Sequence, residues 1–129
     1  MAHRNKARKT IALIAHDGKK AEMVAFALSH LNVLERYNLV ATNTTGKMLN
    51  ENTRLKVRQM LSGPLGGDAQ IAALVVEGGV AAVVFFVDPL GKHPHDPDIQ
   101  GLLRICNVHN VPLATNPASA TFIISAEAL

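Results

Sequence analysis

Cysteine is nearly absent: the single Cys106 excludes an intramolecular disulfide and a thiolate metal cage, and makes a reducing cytoplasm the default location. There is no tryptophan, one tyrosine and only four phenylalanines, so unpaired bases would find no aromatic series to stack on. Long apolar runs are missing too. Residues 11–15, behind the basic N-terminus, are too short for a membrane span or the apolar stretch of a signal peptide, and His16 and Asp17 follow at once. Low-complexity tracts and internal repeats are lacking. What is left, at 129 residues with 48% apolar and 18% charged, is one folded domain, residues 10–129, behind a basic tail at 1–9.

The isoelectric point near 9.3 suggests nucleic acid, but the position of the charge argues against it. Arg4, Lys6, Arg8 and Lys9 hold four of the thirteen cationic residues, leaving nine against ten acids from residue 10 onward. The body is near neutral, the tail is read as solvated, and neither a nucleic-acid face nor a membrane surface is expected.

Thr10-Ile11-Ala12-Leu13-Ile14-Ala15 is a continuous apolar run, the pattern of a strand buried on both faces. From Lys19 the spacing of Ala21, Val24, Leu28 and Leu31 predicts a helix with that face buried. Leu39-Val40-Ala41 reads as a second strand before a short helix, and residues 57–61 as a weaker third. Ile71, Leu74, Val75 and Gly78 mark the next helix, stopped by Gly78-Gly79. The β-branched and aromatic run at 80–87 is the clearest strand and is expected to be central. Ile99, Leu102, Leu103 and Cys106 form a further stripe, with Asp96 as N-cap and Pro97 at the first helical position. Val111-Pro112-Leu113-Ala114 is the fifth strand and residues 118–128 the last helix. Alternation of this kind predicts a three-layer α/β sandwich around a five-stranded parallel sheet, whose strand ends share one edge where ligands bind.

Polar groups stand at five predicted strand ends: His16, the Thr42-Asn43-Thr44-Thr45-Gly46 cluster, the loop Ser62-Gly63-Pro64-Leu65-Gly66-Gly67-Asp68, Asp88 and Thr115. Glycine turns and hydroxyls beside helix N-termini favour an anion, with phosphate the natural choice. The chain has neither GxxxxGK[ST] nor GxGxxG after its first strand, so a nucleoside triphosphate or dinucleotide is not indicated. Each group also has a plainer reading: Asp68 and the threonines as helix caps, Lys20 as a solvated lysine. His95 lies in a loop between two prolines and pairs with His16 as the informative histidine. A metal on His93, His95, Asp96 and Asp98 is conceivable, but those acids fit better as a helix start. A carboxylate, a histidine and a phosphate cradle suit proton abstraction beside a carbonyl in a small phosphorylated substrate.

The segments ending in His16-Asp17, Thr42-Asn43-Thr44-Thr45-Gly46, Ser62-Gly63-Pro64-Leu65-Gly66-Gly67-Asp68, Asp88-Pro89-Leu90, Pro94-His95-Asp96-Pro97-Asp98 and Pro112-Leu113-Ala114-Thr115-Asn116 together resemble the methylglyoxal synthase family, in order from about residue 9 to 124. The resemblance implies that family's flavodoxin-like topology and a cofactor-free, metal-independent lyase. Its substrate would be dihydroxyacetone phosphate and its products methylglyoxal and inorganic phosphate. A cytoplasmic homohexamer inhibited by phosphate is implied as well. By the same resemblance Asp68 is the catalytic base and His95 polarises the carbonyl, with Asp98 in the catalytic group. His16, Lys20, Thr42, Asn43, Thr44, Thr45, Ser62 and Gly63 bind substrate, and Asp17, Gly46, Gly67 and Asp88 support them. Asn43 stands where the family commonly has Gly; were φ positive there, Asn would be a tolerable replacement. The rival reading is a non-catalytic regulatory module of the same fold, with a purely structural protein a distant third.

Overall fold

The computed structural model describes residues 8–60, 65–91 and 99–125. Five parallel strands, β1 (Thr10–Ala15), β2 (Asn38–Ala41), β3 (Val57–Gln59), β4 (Ala82–Phe86) and β5 (Leu113–Ala114), form one sheet in the order β3-β2-β1-β4-β5. The helices are α1 (Lys20–Ser29), α2 (Leu31–Leu34), α3 (Asn43–Asn52), α4 (Gly67–Val76), α5 (Ile99–Val108) and α6 (Pro117–Ser125). A single 3-10 turn, Asp17–Lys19, joins β1 to α1.

The side chains of β1 alternate between two cores. Ile11, Leu13 and Ala15 face Met23, Phe26, Leu49, Ala120 and Ile124 from α1, α3 and α6. Ala12 and Ile14 face Ile71, Val75, Leu102 and Cys106 from α4 and α5. All six residues of β1 are buried, as a strand covered on both faces requires. Burial in the second core pushes the Cys106 thiol above its ordinary pKa.

The three-layer α/β class is as expected, whereas the flavodoxin-like order is corrected. That order reverses between β1 and β3; here the chain first adds β2 and β3 on one side of β1 and then crosses to β4 on the other. Both orders use the same alternation of strand and helix, so periodicity does not separate them. The middle position belongs to β1, and β4 is interior, paired with β1 and β5. The switch point therefore lies between β1 and β4.

The buried face of α1 also differs from expectation. Met23, Phe26 and Ala27 are buried, while Ala21 is exposed and Leu28 is 49% exposed. Two apolar stripes at helical spacing run along this helix, and the one carrying the bulkier Met and Phe takes the core. On α5, Leu102 and Cys106 are buried and Leu103 is exposed. Asp96 and Pro97, read as its cap, lie outside the described residues. Arg8 and Lys9, read as tail, are fastened to the body: Arg8 donates to the Glu35 carbonyl at 3.0 Å and Asn38 N–H donates to the Lys9 carbonyl at 2.9 Å. Among the described residues no helix is long and apolar enough to cross a membrane.

Candidate active site

At the switch point the His16 N–H donates to the Phe86 carbonyl at 3.1 Å, so the chain leaves β1 beside the end of β4. The Asp88 N–H then donates to His16 Nδ1 at 3.0 Å. An Nδ1 that accepts leaves the proton of the neutral ring on Nε2, so the imidazole is set as a donor through that nitrogen. The ring stands edge-on to Phe85, with centroids 5.3 Å apart. Asp88 Oδ1 accepts the N–H groups of Leu90 and Gly91, each at 3.0 Å, which folds the loop after β4 around the carboxylate. Gly18 and Gly91 make room for it: a Cβ on Gly18 would collide with Asp88 Oδ2, and one on Gly91 would lie 2.6 Å from it.

Lys20 bends back over the end of β1, donating to Asp17 Oδ1 at 2.6 Å and to the Ala15 carbonyl at 3.2 Å. Beside it the buried Thr45 hydroxyl accepts the Ala15 N–H and the Thr42 hydroxyl, both at 3.3 Å. Thr42 occupies the N-cap position of α3 without a side-chain capping bond, so its hydroxyl serves Thr45 rather than the helix end. The first intrahelical bond of α3 runs from the Gly46 N–H to the Thr42 carbonyl at 2.8 Å. The amides before it form an N-terminal donor set of the kind that binds anions. Gly46 lets α3 lie against β3, since a Cβ there would stand 2.8 Å from Gln59 Cγ.

Asp68 is the second residue of α4. The cap reading is corrected, because the N-cap is Gly66, with φ at 98°, a left-handed conformation that glycine adopts without strain. The Asp68 carboxylate instead accepts the Ala69 N–H at 3.0 Å, in the first turn where the helix dipole favours negative charge.

The family model of the MGS-like domain matches residues 22–115. A methylglyoxal synthase of Thermus thermophilus is 61% identical over 117 residues, covering 91% of this chain and 93% of that relative. The chain belongs to the methylglyoxal synthase family. A methylglyoxal synthase from Clostridium botulinum Eklund 17B is 54% identical over 114 residues, covering 88% of this chain and 96% of that one. The crystal structure of methylglyoxal synthase from Elizabethkingia anophelis NUHP1 superposes with a TM-score of 0.89 at 44% identity, covering 92% of this chain and 78% of the other.

Within this methylglyoxal synthase fold, His16, Asp17, Lys20, Thr42, Thr45 and Asp88 gather at the β1/β2/β4 ends, while Asp68 opens the helix after β3. Asn43 is the first residue of α3, and Asn110 is the sole non-glycine with positive φ among the described residues, so Asn43 carries no backbone strain. Asn43 and Thr44 are exposed, in contrast to the buried Thr42 and Thr45. Ser62, Gly63, His95 and Asp98 lie outside the described residues, as do the remaining members of the conceivable metal group, His93 and Asp96. Sequence reasoning gave Asp88 a supporting part without seeing that its backbone fixes the tautomer of His16. Gly18 and Gly91 were the available signal. It also missed a cluster at the opposite edge of the sheet, where Arg8, Arg54, Lys56 and Arg58 line one cavity.

Proposed function

We propose that the chain is a methylglyoxal synthase that eliminates inorganic phosphate from dihydroxyacetone phosphate, with Asp68 as base. Asp68 removes a proton from the carbon bearing the hydroxyl, and the electron pair moves into an enediolate. That enediolate expels the phosphate as the C–O bond breaks, and the resulting enol tautomerises to methylglyoxal. The observation that carries the reading is the arrangement at the β1 end, where the N-terminus of α3, Lys20 and a proton on His16 Nε2 meet within one family fold. The α3 amides with Thr42, Thr44 and Thr45 suit the phosphate, and Lys20 suits its charge. A proton on Nε2 suits His16 to donate to a substrate oxygen, and backbone bonds made before substrate arrives spare the reorganisation.

His95, Asp98, Ser62 and Gly63 enter this scheme on the sequence resemblance: His95 polarises the carbonyl and shuttles protons between the enediolate oxygens, Asp98 assists it, and Ser62-Gly63 complete the cradle. The scheme uses hydrogen-bond donors and an ammonium for the developing charge, and we read the enzyme as independent of metal and cofactor. A cytoplasmic homohexamer, with phosphate both product and inhibitor, completes the proposal.

The test is methylglyoxal formation from dihydroxyacetone phosphate by the purified chain, with and without a chelator. Asp68→Asn is expected to lower kcat by about 10³-fold, in the range of a lost general base. Full turnover in that variant would remove Asp68 from the role. No turnover in the wild type, with phosphate binding intact, would favour the regulatory module.

A further inference from the structure

At the starts of the strands, the end opposite the switch point, Thr10 of β1, Asn38 of β2 and Lys56 before β3 border a cavity of about 440 Å³. Its size falls within the range of small-molecule sites. Four of its lining side chains are cationic, Arg8, Arg54, Lys56 and Arg58, against one carboxylate, Glu35. That carboxylate is already engaged, since Arg54 Nε donates to Glu35 Oε1. The hydrogen bond, followed by the charge of Glu35, raises the Arg54 pKa above its ordinary value. Arg54 also donates to Asn32 Oδ1 at 3.0 Å, and Arg8 donates to the Glu35 carbonyl at 3.0 Å, so both guanidinium groups are held in place by the protein. Lys56 and Arg58 have no carboxylate partner among the described residues. Their charge is left for something else. Leu55, Leu74 and Tyr37 give the same cavity an apolar wall.

We propose that this cavity is a second ligand site, which takes a small organic polyanion: its carboxylate or phosphate groups on Lys56, Arg58 and the outer nitrogens of Arg8 and Arg54, and its short carbon body on Leu55 and Tyr37. A neutral or cationic ligand would leave the charge uncompensated, and an anion without carbon would leave the apolar wall unused. Six residues of β1 put about 20 Å between this cavity and the end that carries His16 and Lys20, so one small molecule does not span both. The inference is independent of the reaction proposed above.

The full chain is titrated calorimetrically with citrate, a compact trianion, and separately with inorganic phosphate, at about 0.15 M salt where diffuse surface attraction is screened. Citrate is expected to saturate at one equivalent per chain and to bind Lys56→Gln/Arg58→Gln at least about tenfold more weakly, as for the loss of charge-assisted bonds. Its affinity for Lys20→Gln is expected to equal the wild-type value. Both substituted positions in the double variant are exposed, and its melting curve and turnover without citrate are expected to match the wild type. Loss of citrate binding in Lys20→Gln with retention in the double variant would move the ligand to the other edge and overturn the proposal. So would saturation by phosphate with none by citrate, or no saturable citrate binding below about 10 mM, the millimolar regime of negligible recognition.

Discussion

At the C-terminal edge of the sheet His16, Lys20, Thr42, Thr45 and Asp88 all hold bonds to backbone groups or to one another. At the N-terminal edge Arg8 and Arg54 are braced on Glu35, while Lys56 and Arg58 project from an exposed rim. The first edge is rich in fixed dipoles and carries little net charge; the second is rich in charge and less tightly fixed. Elimination from a small substrate needs atoms held within a fraction of an ångström, and backbone hydrogen bonds provide that. Capture of a polyanion needs a field more than a geometry. One sheet thus separates positioning from attraction, and substitutions at its two ends should differ in kind as well as size.

Among substitutions that act through the scaffold rather than the proton transfer itself, the largest effect is expected from Thr45→Val. Thr45 is 1% exposed and its hydroxyl accepts the Ala15 N–H, so an isosteric methyl leaves that donor unsatisfied and costs about 1–3 kcal/mol in denaturant unfolding. Turnover should fall with it, because the amides at the start of α3 lose their tie to β1. Wild-type stability and activity together would show that this edge is not braced through Thr45.

Next is Gly18→Ala. The new Cβ displaces the Asp88 carboxylate, which then gives up the Leu90 and Gly91 amides and disturbs the Asp88 N–H bond to His16 Nδ1. A loss of about tenfold in kcat/KM is expected, close to 1.4 kcal/mol of transition-state stabilisation. A steady-state assay beside a melting curve separates this from simple destabilisation: a displaced His16 should lower kcat/KM even in the fully folded variant, while a merely less stable fold would keep the wild-type kcat/KM well below its melting temperature.

Much of this contrast was legible in the residues and some was not. The strands and the polar ends of β1 and β2 follow from apolar runs closed by His16 and Thr42, because a strand buried on both faces leaves little ambiguity. The strand order was not legible, since where a chain reverses depends on crossovers that share one local pattern. The Thr42-to-Thr45 bond was hidden by a capping rule that fits both hydroxyls equally well, and only packing decides between them. The basic cavity was hidden differently. Arg54, Lys56 and Arg58 alternate along the sequence, but their convergence with Arg8 depends on β1 and β3 starting at the same edge of the sheet. Counting cations from residue 10 onward assigned Arg8 to a tail and diluted the rest against acids elsewhere.

A smaller effect separates both edges from the core between them. Cys106 on α5 has its pKa raised by burial, so the folded state keeps the thiol protonated where the unfolded chain ionises. The unfolded state then binds fewer protons, and stability falls as pH rises from about 9 until the folded thiol itself titrates, by at most about 1.4 kcal/mol per unit. Unfolding measured from pH 7 to 10 should show this decline in the wild type and a weaker one in Cys106→Ala. An equal decline in both would place the alkaline sensitivity outside this core.

The smallest effect, and the one that tests the contrast most directly, is Arg54→Gln. Arg54 makes two side-chain hydrogen bonds, one of them an ion pair, as many as Thr45 accepts in the bonds described above, so a count of interactions would rank the two residues alike. Its side chain is 58% exposed, however, and water offers its partners nearly equivalent bonds once the guanidinium is gone. No measurable change in melting temperature or in methylglyoxal formation is expected, while citrate affinity should fall. If Arg54→Gln lowered the melting temperature as much as Thr45→Val, the Arg54–Glu35 pair would be a structural brace, and the cluster would owe its position to folding rather than to a ligand.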